Sequence, residues 1–198
     1  MNDVTRPSGT RAIARDAVRA RISEVAVELF DEQGFDSVTI EQIAAAVGVS
    51  PRSVHRYFPA KEDTVIGDPA GWGEHVRDQL VARPSEEPIW EALLASYEAL
   101  LAAPGRNQAQ GKKAMRVLGS APALRARNFE KHLLWASMLT PVVAERLEGD
   151  HRELRAETIV QASLACFDIA LTAWAEADAA DSAVDLLRRS FGALQPTT

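Results

Sequence analysis

Apolar residues recur along this chain at intervals of three and four, and nowhere do they alternate with polar residues over the length of a strand. Val18, Ile22, Val25, Ala26 and Leu29 form one stripe. Gly34 stops that helix, and Phe30 and Phe35 are placed to close a small core from either side. Ile40, Ile43, Ala44 and Val47 form a second, shorter stripe. Thr39 precedes it and Gln42 follows three residues later, the pattern of a capping box. Gly48 then supplies a turn in which a left-handed backbone costs little, and Val49 plugs the gap. Ser50 caps the next helix, with Pro51 at the first helical position, where its missing N–H does no harm. Two helix starts and one stop fit within a dozen residues.

The short helix after Ser50 carries the chemistry. Arg52, Ser53, His55 and Arg56 point outward while Val54 and Phe58 point inward. Two short helices joined by a tight turn, the second polar and cationic, are how a helix-turn-helix presents side chains to the DNA major groove, with the N-terminal end of the second helix meeting base edges. Arg52 stands at that end, and an arginine can bond guanine O6 and N7 together. Tyr57 ends the helix with a hydroxyl suited to a phosphate oxygen. Lys61 is expected to open the next helix, whose backbone N–H groups also attract phosphate. The sequence-predicted DNA-binding residues are therefore Thr39, Ser50, Pro51, Arg52, Ser53, His55, Arg56, Tyr57 and Lys61.

Beyond Glu62 a connecting helix begins, and Gly67, Asp68, Pro69, Gly71 and Gly73 interrupt it. This cluster of breakers is read as a boundary and a hinge, giving a helix-turn-helix domain over 11–66 and a body over 67–198. In the body the periodicity predicts helices near 74–82, 86–103, 108–119, 122–148, 153–177 and 181–194, with Pro141 kinking the long one. The fold class is all-α: an N-terminal three-helix helix-turn-helix DNA-binding domain followed by a larger helical ligand-binding and dimerisation domain. Ala162, Ala165, Ala170 and Ala173 with Ser163 allow close helix approach, so the face of 153–177 together with 181–194 is expected to hold a homodimer contact. Trp90, Tyr97, Met115, Phe129, Trp135, Met138, Phe167 and Trp174 fall mostly on different helices, and their convergence would line an apolar ligand pocket.

Residues from about Arg11 to Val65 resemble the DNA-binding domain of the TetR (tetracycline repressor) family. The matching positions are Ala26, Leu29, Phe30, Gly34, Phe35, Thr39, Ile43, Ala44, Gly48, Val49, Ser50, Tyr57, Phe58, Lys61 and Glu62. His55 departs from the family, which most often has tyrosine there. The resemblance implies a homodimer on double-stranded operator DNA and repression relieved by ligand. From Trp90 to Trp174 the body also resembles the acyl-CoA-like ligand-binding domain of mycofactocin-type regulators, on the segments APALRARNFEKHLLWASML and LACFDIALTAWAE. That second likeness implies a small apolar or amphipathic effector, acyl-CoA-like. The cations Arg106, Lys112, Lys113, Arg116, Arg125, Arg127 and Lys131 are candidates for its phosphorylated head group.

Composition narrows the classes. Hydrophobic residues make up 46% of the 198, enough for a core. No apolar run approaches the roughly 20 residues of a membrane span, the N-terminus lacks the apolar stretch of a secretory signal, and one cysteine, Cys166, excludes an internal disulfide framework. The expectation is a cytoplasmic protein with no membrane partner. A net charge of −6 is low for a DNA binder, so the positive charge must be local. Arg6, Arg11, Arg15, Arg19 and Arg21 crowd the N-terminal segment, and the arm before Arg11 is either a minor-groove reader or a solvated tail. There is no glycine-rich phosphate loop, metal-spaced Cys/His set or serine elbow, and His55, His75, His132 and His151 are scattered. The chain reads as no enzyme and calls for no cofactor. Two alternatives remain at this point: an effector-independent DNA-binding protein, and a helical ligand-binding protein with a vestigial DNA-binding head.

Overall fold

A computed structural model of the chain describes residues 10–102, 107–177 and 181–194. The arm before Arg11 and the cation Arg106 lie outside the described residues. Ten helices appear among those described, and no strand: α1 (Thr10–Gln33), α2 (Ile40–Val47), α3 (Pro51–Tyr57), α4 (Asp63–Ile66), α5 (Pro69–Val81), α6 (Ile89–Leu101), α7 (Gln108–Ser120), α8 (Pro122–Glu145), α9 (Arg152–Glu176) and α10 (Ala183–Gly192). The chain divides into two compact units at Gly67–Asp68.

The first unit holds α1 to α4 around Ile22, Val25, Ala26, Phe30, Phe35, Ile43, Val54 and Phe58, all buried. Its turns follow the local chemistry. The Gln42 N–H donates to Thr39 Oγ1 and the Thr39 N–H to Gln42 Oε1, a complete capping box. Gly48 has φ +80° and ends α2 by donating to Ala44 and Ala45 carbonyls. Ser50 caps α3 by accepting from the Ser53 N–H.

The second unit is a bundle in which α9 is the central helix, packed by α6, α7, α8 and α10. By length and mean hydropathy α9 could cross a membrane. In this fold its Ala156, Val160, Leu164, Phe167, Ala170 and Trp174 are buried in the protein's own core. Arg146, at the end of α8, donates to the Pro84 and Glu87 carbonyls and so ties α8 to the connection between α5 and α6. Pro141 stays within α8.

The largest departure from expectation is α5, which begins at Pro69 rather than near residue 74. Asp68 caps it by accepting from the Gly71 N–H, and Pro69 takes the first position. Gly71 and Gly73 are thus inside a helix. Gly73 is there for tertiary reasons: a Cβ on it would lie 2.9 Å from Met138 Sδ and 2.9 Å from Trp135 Cδ1. It lets α5 press against α8. A substitution pair tests this. Gly73→Ala is expected to lower stability by about 1–3 kcal/mol, the usual cost of overpacking. Gly119→Ala on α7, where a Cβ meets nothing within 4 Å, is expected to raise it by about 0.4–1 kcal/mol. Urea unfolding of the two variants reads the difference, and equal effects would show that Gly73 is not at a tight contact.

Candidate DNA-reading helix and aromatic core

Helix α3 is held from behind and free in front. Val54 and the following Phe58 are completely buried, which fixes the helix on the head's core. Pro51, Arg52, His55 and Arg56 are exposed, and Thr39 and Ser50 at the helix starts are exposed beside them. Ser53 is half-buried, and its hydroxyl lies 2.9 Å from that of Ser50. Tyr57 is half-buried with the Arg56 guanidinium 5.1 Å above its ring. Arg52, His55 and Arg56 form no ion pair among the described residues. Glu41, in the first turn of α2, is the nearby acid. Its own backbone N–H, and then the Thr39 hydroxyl, hold its carboxyl below the usual range.

Lys61 has a second occupation that spacing did not reveal. Its Nζ donates to the Phe35 carbonyl at 2.8 Å and the Val38 carbonyl at 3.0 Å, and it sits 4.1 Å from the centre of the Phe35 ring. Lys61 also precedes α4 by two residues instead of opening it. Arg19 is likewise drawn inward, donating to the Gly67 carbonyl at 2.7 Å with its guanidinium over Phe58.

In the body, four of the eight proposed pocket residues converge and four do not. Tyr97 stacks on Phe167, ring centres 4.9 Å apart, and on Trp135 at 6.4 Å. Trp135 meets Phe167 at 5.8 Å. Trp90 joins through Phe191, 4.6 Å away, and donates its indole N–H to the Phe191 carbonyl. Phe191 stands one turn beyond Leu187 in a segment whose charged residues mask it in the sequence. Each polar handle in this cluster is satisfied. The Tyr97 hydroxyl lies 3.0 Å from Ser163 Oγ, and burial pushes its ionisation well above the usual phenol range. The Trp135 indole N–H donates to the Pro69 carbonyl at 2.7 Å.

Of the remainder, Met138 lies against Gly73 and Met115 is half-buried on α7. Trp174 is buried at the crossing of α7 and α9, where Gly111 makes room for it. Phe129 faces away, 60% exposed, because its position on α8 is turned from the buried face of Leu124, Trp135 and Leu139. The expected cationic cluster is also dispersed. Lys112 and Arg116 donate to the Ala177 and Ala175 carbonyls, the end of α9 that lacks intrahelical partners. Arg125 donates to the Gly119 carbonyl, and Arg127 pairs with Glu130. Lys131 sits over the Trp135 ring, and burial lowers its pKa to about 8. Cys166 is a buried thiol.

With this geometry in view, the relatives are informative. Residues 22–65 match the bacterial regulatory proteins of the tetR family, and residues 87–198 match the MftR C-terminal domain. The chain belongs to the TetR family, with an MftR-type body. It is a DNA-binding transcriptional regulator. Over 160 residues it is 28% identical to the mycofactocin biosynthesis transcriptional regulator named MftR of Mycobacterium tuberculosis, covering 81% of this chain and 79% of that one. It is 28% identical over 144 residues to the regulator TcmR of Streptomyces glaucescens, covering 68% and 64%. Among solved structures, FadR of Bacillus subtilis in complex with stearoyl-CoA has a TM-score of 0.57 at 20% identity, covering 87% and 95%. FadR of Thermus thermophilus in complex with lauroyl-CoA has a TM-score of 0.54 at 24% identity, covering 88% and 91%. These structural likenesses carry the fold. Regulators of the TetR family bind operator DNA and dimerise.

The position of Lys61 predicts a stability effect separate from DNA binding. Lys61→Met is expected to destabilise the head by about 1–3 kcal/mol, since two carbonyls lose a charged donor. Thermal melting in the absence of DNA measures this, and an unchanged melt would mean that the two bonds contribute nothing.

Proposed function

We propose that the protein is a cytoplasmic repressor that binds a palindromic operator as a homodimer and is released by an apolar or amphipathic effector, most naturally an acyl-CoA-like molecule. The head over 11–66 reads DNA and the body over 67–198 senses the ligand and dimerises. The observation that carries the reading is helix α3. Arg52, His55 and Arg56 stand exposed, forming no ion pair among the described residues, on a helix whose back is locked by Val54 and Phe58. A face of exposed arginines and a histidine on a short, well-capped helix is suited to phosphates and base edges.

The effector assignment rests on the body. Trp90, Tyr97, Trp135 and Phe167 bring large apolar area together from α6, α8 and α9, and two FadR proteins of the same fold are solved with acyl-CoA molecules. The aromatic cluster supports an acyl chain, and among the described residues the cations proposed for its phosphates are dispersed. Trp135 gives the cluster a route to the rest of the chain, because its indole bonds the first residue of α5, just after the division between the units.

Operator duplexes selected from random sequence by the purified protein test both parts. Arg52→Ala is expected to cost about 1–3 kcal/mol and to relax preference at one base pair. Tyr57→Phe is expected to weaken all sequences evenly. An unchanged ranking of operator variants with Arg52→Ala would remove its base-reading role. Lauroyl-CoA is expected to change tryptophan fluorescence saturably and to weaken operator binding by about 1–3 kcal/mol, with the operator weakening lauroyl-CoA binding by the same factor. Saturable binding that ignores the operator would leave a ligand site and no switch.

A further inference from the structure

The arginines of α1 whose side chains are described fall into two kinds. Arg15 and Arg21 are exposed and pair along the helix, with Asp16 at 3.7 Å and Glu24 at 2.6 Å. Arg19 is half-buried and turned into the head. Its Nη2 donates to the Gly67 carbonyl at 2.7 Å, and its guanidinium carbon lies 5.3 Å from the centre of the Phe58 ring. Both partners sit at helix ends. Phe58, completely buried, closes α3 by donating its N–H to the Val54 carbonyl at 2.9 Å. Gly67 closes α4 by donating its N–H to the Asp63 carbonyl at 2.9 Å. One guanidinium on α1 therefore holds the closing residue of α3 and the closing residue of α4.

The arrangement needs these residue types. A guanidinium is planar, so it can lie over a ring while an N–H in its own plane reaches a carbonyl; an ammonium has no such plane. Gly67 has φ +79° and ψ −121°, a backbone that residues with a Cβ rarely adopt. In that conformation its N–H ends α4 while its carbonyl meets α1. Helix α3 has seven residues, too few to keep a pose by its own hydrogen bonds. What holds Phe58 holds the C-terminal end of α3.

We propose that Arg19 is a positioning residue for sequence reading, a latch that fixes α3 through Phe58 and Gly67 and makes no contact with DNA itself. The inference rests on the reading of α3 as the helix that meets base edges. With the latch lost, α3 still brings Arg52 and Arg56 to the phosphates, but holds them less firmly against the bases. Phosphate contacts supply non-specific binding, and base contacts supply preference. Loss of the latch therefore lowers operator affinity and spares affinity for unrelated sequence.

Titration of the full chain with a selected operator duplex and a scrambled duplex, over a range of salt, tests the latch. Thermal melting first fixes a temperature at which each variant is folded. Arg19→Lys keeps the charge and removes the planar group. It is expected to lose about tenfold in operator affinity, the size of one charge-assisted hydrogen bond, with scrambled-duplex affinity and salt slope as in the wild type. Gly67→Ala removes no charge and is expected to behave in the same way. A phosphate contact at Arg19 predicts the reverse. Arg19→Lys would then bind as the wild type does, Gly67→Ala would be silent, and Arg19→Gln would weaken both duplexes and reduce the salt slope by about 1. That pattern overturns the latch. An unchanged ratio of operator to scrambled affinity in both Arg19→Lys and Gly67→Ala, with only the melting temperature lowered, overturns it too, because the bond would then serve stability alone. Arg52→Ala separates this inference from its foundation. If Arg52→Ala relaxes base preference and Arg19→Lys keeps the wild-type ratio, the latch fails and the reading of α3 stands. If Arg52→Ala leaves the ranking of operator variants unchanged, or the wild type selects no operator, the reading of α3 fails and the latch falls with it.

Discussion

The body is organised around the indole of Trp135. This one side chain is buried against the Tyr97 and Phe167 rings, carries the Lys131 ammonium over its face, donates its N–H to the Pro69 carbonyl, and has Gly73 against its edge. A buried indole is stabilising only when its N–H finds an acceptor, so its placement requires α5 to begin where it does. The requirement propagates. Asp68 must cap, Pro69 must take the first turn, and residue 73 must lack a Cβ. A feature that looks like a loose glycine-rich connection in the chain is in fact a close contact between α5 and α8.

The head is built on another principle. Its helices are short, and each end is specified by a side chain a few positions away. Packing contributes by anchoring α3 through Val54 and Phe58, leaving Arg52, His55 and Arg56 to solvent. The turns from Thr39 to Ser53 were legible in the sequence for this reason: capping boxes, left-handed glycines and serine caps depend on neighbours within four residues. The six helices of the body were legible from their periodicity and their proline and glycine breaks. What could not be read was nonlocal. Gly73 reads as a breaker because its partner, Trp135, is distant in the chain. Phe129 was grouped with the pocket by residue type, although the phase of α8 turns it outward. The bonds of Lys61 to the Phe35 and Val38 carbonyls are hidden in the sequence because those carbonyls belong to a loop whose course only the fold determines.

The acidity of the chain also finds a physical account. Many of the body's cations are used internally, at the carbonyl end of α9 or in short ion pairs along α8 and α10. The arginines of α3 have no such bonds among the described residues. Positive charge is therefore available on α3, and the net charge of −6 over the whole chain discourages indiscriminate contact with nucleic acid.

The close packing of Tyr97, Trp135 and Phe167 has a consequence for sensitivity. An apolar molecule entering among these rings must first part them, so its apparent affinity is its intrinsic affinity reduced by the fraction of molecules in which they are parted. Every 1.4 kcal/mol or so by which the packed arrangement is favoured makes the sensor about tenfold less responsive. The threshold concentration is then written partly in residues that need never touch the effector: the Ser163 hydroxyl that holds Tyr97, and the bare Cα of Gly73 that lets Trp135 settle. The protein can be retuned for scarcer or more abundant effector by loosening or tightening its own core, with the recognition surface left as it is.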